Sequence, residues 1–216
     1  MEDGLLERAK PRLRGVSHEI AAYVAAPSCA LLVGAAETRL ARTGALVYGA
    51  SLVALFLASA VYHRPTWSPR ARRILWRVDH SAIFVLIAGT YTPMCLLLGE
   101  AGRTMLTAVW LGAAAGVVLS IAWVTAPKPL MAGLYVLLGW CVVPLVPALR
   151  EAMGPGALAL LLGGGLLYSA GAVIYALRRP DPYPAVFGFH EIFHLLVIAA
   201  AACHFAVVAG VLRALR

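Results

Sequence analysis

Charge is scarce in this sequence. Asp, Glu, Lys and Arg make up 13% of its 216 residues, whereas a soluble domain carries roughly 25%. The chain therefore lacks the side chains needed to cover a water-facing globule. Cysteine is sparse as well. Cys29, Cys95, Cys141 and Cys203 each sit inside an apolar run and no pair has metal-ligand spacing, so they read as small buried hydrophobes without a disulfide framework. The first 19 residues, MEDGLLERAKPRLRGVSHE, lack the apolar core of a cleavable signal. Residues 1–19 are expected to form a short cytoplasmic tail. No soluble domain is left over, and no internal repeat stands out. Rows of polar residues running through several apolar runs are also missing, which argues against a pore or transporter.

What the chain has in abundance is apolar length: 62% of its residues are hydrophobic. About 20 apolar residues cross a bilayer core as a helix. Seven runs approach that length, near 20–36, 44–62, 80–98, 104–125, 130–149, 157–177 and 189–212. The breaks between them hold charge, Pro or Gly, and most are short, so neighbouring helices should pack antiparallel. The expected fold is an all-α integral membrane protein with seven transmembrane helices, its membrane domain covering residues 20–212.

The net charge of +8 raises the question of nucleic acid. The arginines lie in the links between apolar runs, however, not along one soluble face, so no nucleic-acid partner is expected. In such links they orient the chain, because cytoplasmic loops are enriched in Lys and Arg. Of the 18 basic residues, twelve fall in the N-terminal tail and the second, fourth and sixth links. The other six, Arg39, Arg42, Arg103, Arg150, Arg213 and Arg216, fall on the opposite side. The N-terminus is therefore expected inside and the C-terminus outside.

Ionisable groups within spans are costly and tend to be functional, and here they cluster. His63 ends the second run, Asp79 and His80 begin the third, and His190, Glu191 and His194 begin the seventh. Alternating chain direction brings these three run ends to one membrane depth. His190 and His194, four residues apart, leave one helix face about one turn apart and can chelate a single ion, with His63 as third ligand. Three neutral imidazoles with an open position form a familiar zinc set. Imidazole also suits copper, nickel and iron, but nothing in the sequence calls for redox work. Ser59 lies one turn deeper than His63 on the same face, within reach of a metal-bound water. Asp79 is a candidate general base, with helix capping as its structural alternative. His204 is ten residues beyond His194, about 15 Å deeper, and reads as a packing residue. Tyr91, Thr92 and Pro93 read as shaping a kink.

Ser59-x3-His63, the stretch VDHSAIFVLIAGTYTP at 78–93, HEIFH at 190–194 and CHF at 203–205 resemble, in that order, the hemolysin III branch of the progestin and adipoQ receptor superfamily. The resemblance runs from about residue 18 onward. It implies a seven-helix, N-in and C-out fold, zinc held by His63, His190 and His194, Asp79 holding the zinc-bound water, and Ser59 as a nearby polar partner. Kinship with alkaline ceramidases implies hydrolysis of a lipid amide.

The leading expectation is thus a membrane-embedded, zinc-dependent hydrolase of a lipid amide or ester, acting by attack of zinc-bound water, whose pKa zinc lowers to about 7. Its partner would be a membrane lipid entering between helices. One alternative is a receptor or sensor in which zinc is structural. Another is a membrane metalloprotease, because His190-Glu191-x-x-His194 matches H-E-x-x-H with Glu191 as base. A short, Ala- and Arg-rich chain fits a multi-pass protein of a bacterial inner membrane.

Overall fold

The structure is a computed structural model that describes residues 10–215. Residues 1–9 of the expected tail lie outside the described residues. Within them the chain is helical: α1 Val16–Gly34, α2 Arg39–His63, α3 Pro69–Leu97, α4 Glu100–Ala122, α5 Lys128–Trp140, α6 Val146–Leu177 and α7 Phe189–Ala214. A single 3-10 turn, Val143–Leu145, joins α5 to α6. Apart from an isolated bridge between Tyr183 and Phe187, no β pairing is assigned among the described residues. Six stretches are long and apolar enough to cross a membrane, one of them being the whole of Lys128–Leu177. The protein is an all-α, multi-pass membrane protein.

Local chemistry explains the helix starts. Thr38 caps α2 by accepting from the Ala41 N–H, and Ser68 caps α3 by accepting from the Ala71 N–H, with Pro69 in the first turn. Ser then Pro is a strong start signal, since the hydroxyl satisfies an orphan N–H and proline needs none there. For that reason α3 begins eleven residues before the apolar run at 80–98. The basic stretch expected as a link is its first three turns, with Arg70, Arg72 and Arg73 exposed.

The largest departure from the expected spans lies at 130–149. Helix α5 stops at Trp140, and the chain passes through the 3-10 turn before α6 begins. Pro144 and Pro147 explain the break: neither supplies an N–H, and each crowds the preceding turn. Gly154, at φ 80°, then bends α6 just before Pro155, a backbone region open to glycine at little cost. The apolar run is continuous in composition but broken in backbone.

Two hydrophobic clusters hold the helices together. One joins Ala22 and Cys29 of α1, Tyr48 and Leu52 of α2, Leu86 of α3, and Val197 and Val208 of α7. The other joins Phe84 and Tyr91 of α3, Val109 and Ala113 of α4, Met131 of α5, Leu161 of α6, and Val207 of α7. Helices α3 and α7 contribute to both and so form the spine of the bundle. Close approach depends on small residues, as is usual in membranes. At Gly116 of α4, a Cβ would collide with the ring of Phe84, which is 2% exposed and cannot swing away. Gly116→Val should destabilise the detergent-solubilised protein by about 1–3 kcal/mol, read as a lower thermal midpoint. A wild-type midpoint would show that α3 and α4 do not pack through this contact.

Candidate metal centre

The end of α2, the start of α7 and the third turn of α3 meet at one end of the bundle. His63 is the last residue of α2, Asp79 lies in the third turn of α3, and His190 and His194 occupy the first two turns of α7. All four are buried. The antiparallel course of the chain produces the meeting: α2 arrives where α3 and α7 depart. His63, His190 and His194 each offer one ring nitrogen, and these atoms lie within 4.8 Å of one another. The Nε2 atoms of His63 and His190 are 3.2 Å apart. The ring centroids of His190 and His194 are 4.5 Å apart, and those of His63 and His194 are 5.1 Å apart. Three buried imidazoles converging on one point are a donor set that fits a metal ion of the zinc type. A cation satisfies at once the lone pairs that would otherwise face one another in a site removed from water.

The carboxylate and hydroxyl expected beside this cluster are there. Asp79 Oδ2 lies 3.9 Å from His63 Nε2 and 3.6 Å from His80 Nδ1. The latter nitrogen donates to the Trp76 carbonyl at 3.0 Å, so His80 is held within its own helix, and Asp79 lies between it and His63. Ser59, one turn before His63 on α2, is buried and lines the same cavity end as Asp79. Its Oγ is also 2.8 Å from Nδ1 of His18.

His18 was missed in the sequence, where it reads as part of the polar tail. It sits instead in the first turn of α1, 3% exposed, stacked on His194 with centroids 3.8 Å apart and planes 6° from parallel. A signal was present: His18, Ala22, Ala25 and Cys29 follow helical spacing and form the buried face of α1.

Glu191 does not take the role that an H-E-x-x-H motif would give it. One carboxylate oxygen accepts from Arg14, and the other accepts from the Gly188 N–H at 2.8 Å, capping α7. Both oxygens are engaged at the helix entry, so Glu191 serves the N-terminal segment rather than the histidine cluster. That segment closes over the cluster. The N–H groups of Arg12 and Leu13 donate to the carbonyls of Ala185 and Val186 at 3.1 and 3.2 Å. Lys10 Nζ donates to the Arg64 carbonyl at 2.7 Å. Gly15, at φ 80°, comes so close to His63 that a Cβ would lie 2.7 Å from the histidine Cβ, so only glycine allows both the turn and the approach.

A cavity of about 390 Å³ extends from the cluster into the bundle, within the usual range for small-molecule sites. Its polar end is formed by His63, Asp79, His190 and His194, and its interior by apolar side chains such as Ile87, Met94 and Val197. His204 lies along its wall, where Nε2 donates to the Leu161 carbonyl at 3.0 Å. This matches its reading as a packing residue. The Tyr91 hydroxyl donates to the Gly139 carbonyl at 2.7 Å and ties α3 to the end of α5. Glu191→Gln should leave metal content unchanged while lowering stability by about 1–3 kcal/mol, since the charged bond to Arg14 is lost in a buried setting. Loss of the metal with an intact fold would restore Glu191 to the centre.

The family model described as "Haemolysin-III related" matches residues 6–205. Among curated relatives, Hemolysin-3 of Bacillus cereus is 33% identical over 198 residues, covering 88% of this chain and 86% of the relative. The Hemolysin-3 homolog of Bacillus subtilis is 36% identical over 161 residues, covering 74% and 72%. The monocyte to macrophage differentiation factor of Homo sapiens is 30% identical over 167 residues, covering 74% and 67%.

Proposed function

The chain belongs to the hemolysin III family of the progestin and adipoQ receptor superfamily, and on that premise we propose that it is a zinc-dependent hydrolase of a lipid amide or ester. The observation that carries this reading is a buried three-histidine cluster with a carboxylate at the polar end of an apolar cavity inside a membrane bundle. The cavity suits the acyl part of a membrane lipid, and its polar end suits a carbonyl linkage. Zinc on His63, His190 and His194 supplies Lewis acidity toward water and toward that carbonyl.

The chain's own groups divide the remaining work. Asp79, beside His63, accepts a proton from the attacking water as general base. Ser59, at the same end of the cavity, offers a hydroxyl to the polar part of the substrate. The N-terminal segment over His63 excludes bulk water from this end of the bundle. Seven passes are part of the proposal. A straight helix of the 50 residues in Lys128–Leu177 would be about 75 Å long, more than twice the ~30 Å hydrocarbon core. The non-helical Gly154 lets the chain turn back, so that Trp140 meets Ser169 and Lys128 meets Tyr175 across the reversal. With the basic links on the cytoplasmic side, the N-terminus is inside, the C-terminus outside, and the centre at the cytoplasmic end. The short, Ala- and Arg-rich composition supports placing the protein in a bacterial inner membrane.

One observation favours a second reading, a receptor or sensor with structural zinc: the ligands tie α2 to α7, so a metal would also fix the packing of these helices. Two experiments decide. Protein purified without added metal, then given zinc and dialysed, should retain about one ion per chain by mass spectrometry. The triple variant His63→Ala, His190→Ala, His194→Ala should retain none. A folded wild-type chain that holds no zinc rules out the zinc reading altogether. Asp79→Asn should keep the zinc while slowing fatty-acid release from short-chain lipid amides about 10²- to 10⁴-fold. Zinc without release in the wild type, across amides and esters, would leave the structural role.

A further inference from the structure

Of the sequence motifs, CHF at 203–205 is the one that the proposed chemistry leaves unused, and its histidine stands at the far end of the cavity. Measured from the histidine cluster, the lining residues farthest along their segments are Met94 on α3, Val142 after α5, Leu161 on α6 and His204 on α7. From His190 to His204 the axis of α7 rises about 21 Å. Beyond this level the bundle is packed shut, with Cys95, Leu158, Val207 and Val211 buried in one apolar cluster. The cavity therefore has a floor, and His204 is part of it.

The His204 ring is seated on α6. Its Nε2 donates to the Leu161 carbonyl at 3.0 Å, and its ring meets Tyr168 edge to face with centroids 5.4 Å apart. Gly164 lies against it so closely that a Cβ there would sit 2.5 Å from the imidazole Cδ2. Ala200 and Val207, one turn to either side on the same face of α7, are buried. The partial exposure of His204 is thus exposure to the cavity that it lines. A side chain at Gly164 would push the ring away from α6, and the cavity is the open space on that side.

We propose that His204, seated on Gly164, sets the length of the acyl chain that the cavity accepts. This deepens the lipid reading of the site and rests on it. A chain whose carbonyl linkage lies at the cluster runs down the cavity and ends against the His204 ring. One methylene too many lifts the linkage away from the cluster or forces the floor apart. His204 touches the end of the chain and takes no part in the chemistry, so it governs which lipid fits rather than how it reacts.

Native mass spectrometry of the full detergent-solubilised chain, incubated with an equimolar series of saturated fatty acids from decanoic to behenic, tests this. Wild-type occupancy should fall sharply beyond one length. His204→Ala should raise the occupancy of the first excluded acid, relative to the last accepted one, about tenfold, the discrimination an apolar pocket achieves over a methylene or two. Gly164→Ala should shift the limit the other way by a similar factor. Opposite shifts cannot both come from loss of folding. The double variant should follow His204→Ala, because the added methyl collides with a ring that is no longer there. A length profile unchanged in His204→Ala, or a limit that Gly164→Ala still shortens without His204, overturns the proposal and leaves the lipid reading standing. A wild-type chain that retains no fatty acid overturns both, while its zinc content still judges the metal centre.

Discussion

His63 and His190 place two ring nitrogens 3.2 Å apart, in a part of the protein where both residues are buried. Polar groups withdrawn from water into a membrane bundle have to be satisfied by one another or by an ion, and much of the architecture follows from that constraint. The histidines sit at helix ends, where the antiparallel course of α2, α3 and α7 brings distant residues to one level. The carboxylate of Asp79 lies between them and His80, 3.9 Å from His63 and 3.6 Å from His80. Even the N-terminal segment fits this pattern. Gly15 lets the backbone come down onto His63, and Arg14 binds Glu191 at the entry to α7.

The same constraint separates two carboxylates that sequence alone leaves equivalent. Glu191 stands inside an H-E-x-x-H spacing, and Asp79 stands in no metal motif at all. In the folded chain Glu191 is consumed by a helix cap and an ion pair, while Asp79 lies 3.9 Å from a histidine of the cluster. A motif is a statement about spacing on one helix. Which groups face a common point is a property of several helices together.

The apolar cavity gives the cluster its functional direction. A metal whose only role is to join helices needs no space beside it. Here about 390 Å³ opens from the histidines into an apolar interior. Tyr91 and His204 spend their polar atoms on backbone carbonyls, so the walls deeper in stay apolar in effect. Under the proposed function this space would take a long apolar chain with its carbonyl linkage at the histidine end.

The helical, membrane-embedded class was determined by composition and hydrophobic run length. So was the common level of His63, Asp79, His190 and His194, because chain direction alternates whatever the details of packing. The reversal at Gly154 was legible in the charge, Gly and Pro that separate the runs 130–149 and 157–177, whereas the 3-10 turn at Val143–Leu145 was written in Pro144 and Pro147, and hydropathy is blind to backbone donors. The early start of α3 at Pro69 was likewise carried by Ser68 and Pro69 rather than by apolar length. His18 could be placed only by tertiary structure. Its value lies in a ring stack with α7 and a hydrogen bond to α2, and contacts between helices leave little trace in the local sequence of either partner. The commitment of Glu191 to Arg14 and Gly188 has the same origin: spacing along a helix says which residues can share a face, and packing alone says what that face meets.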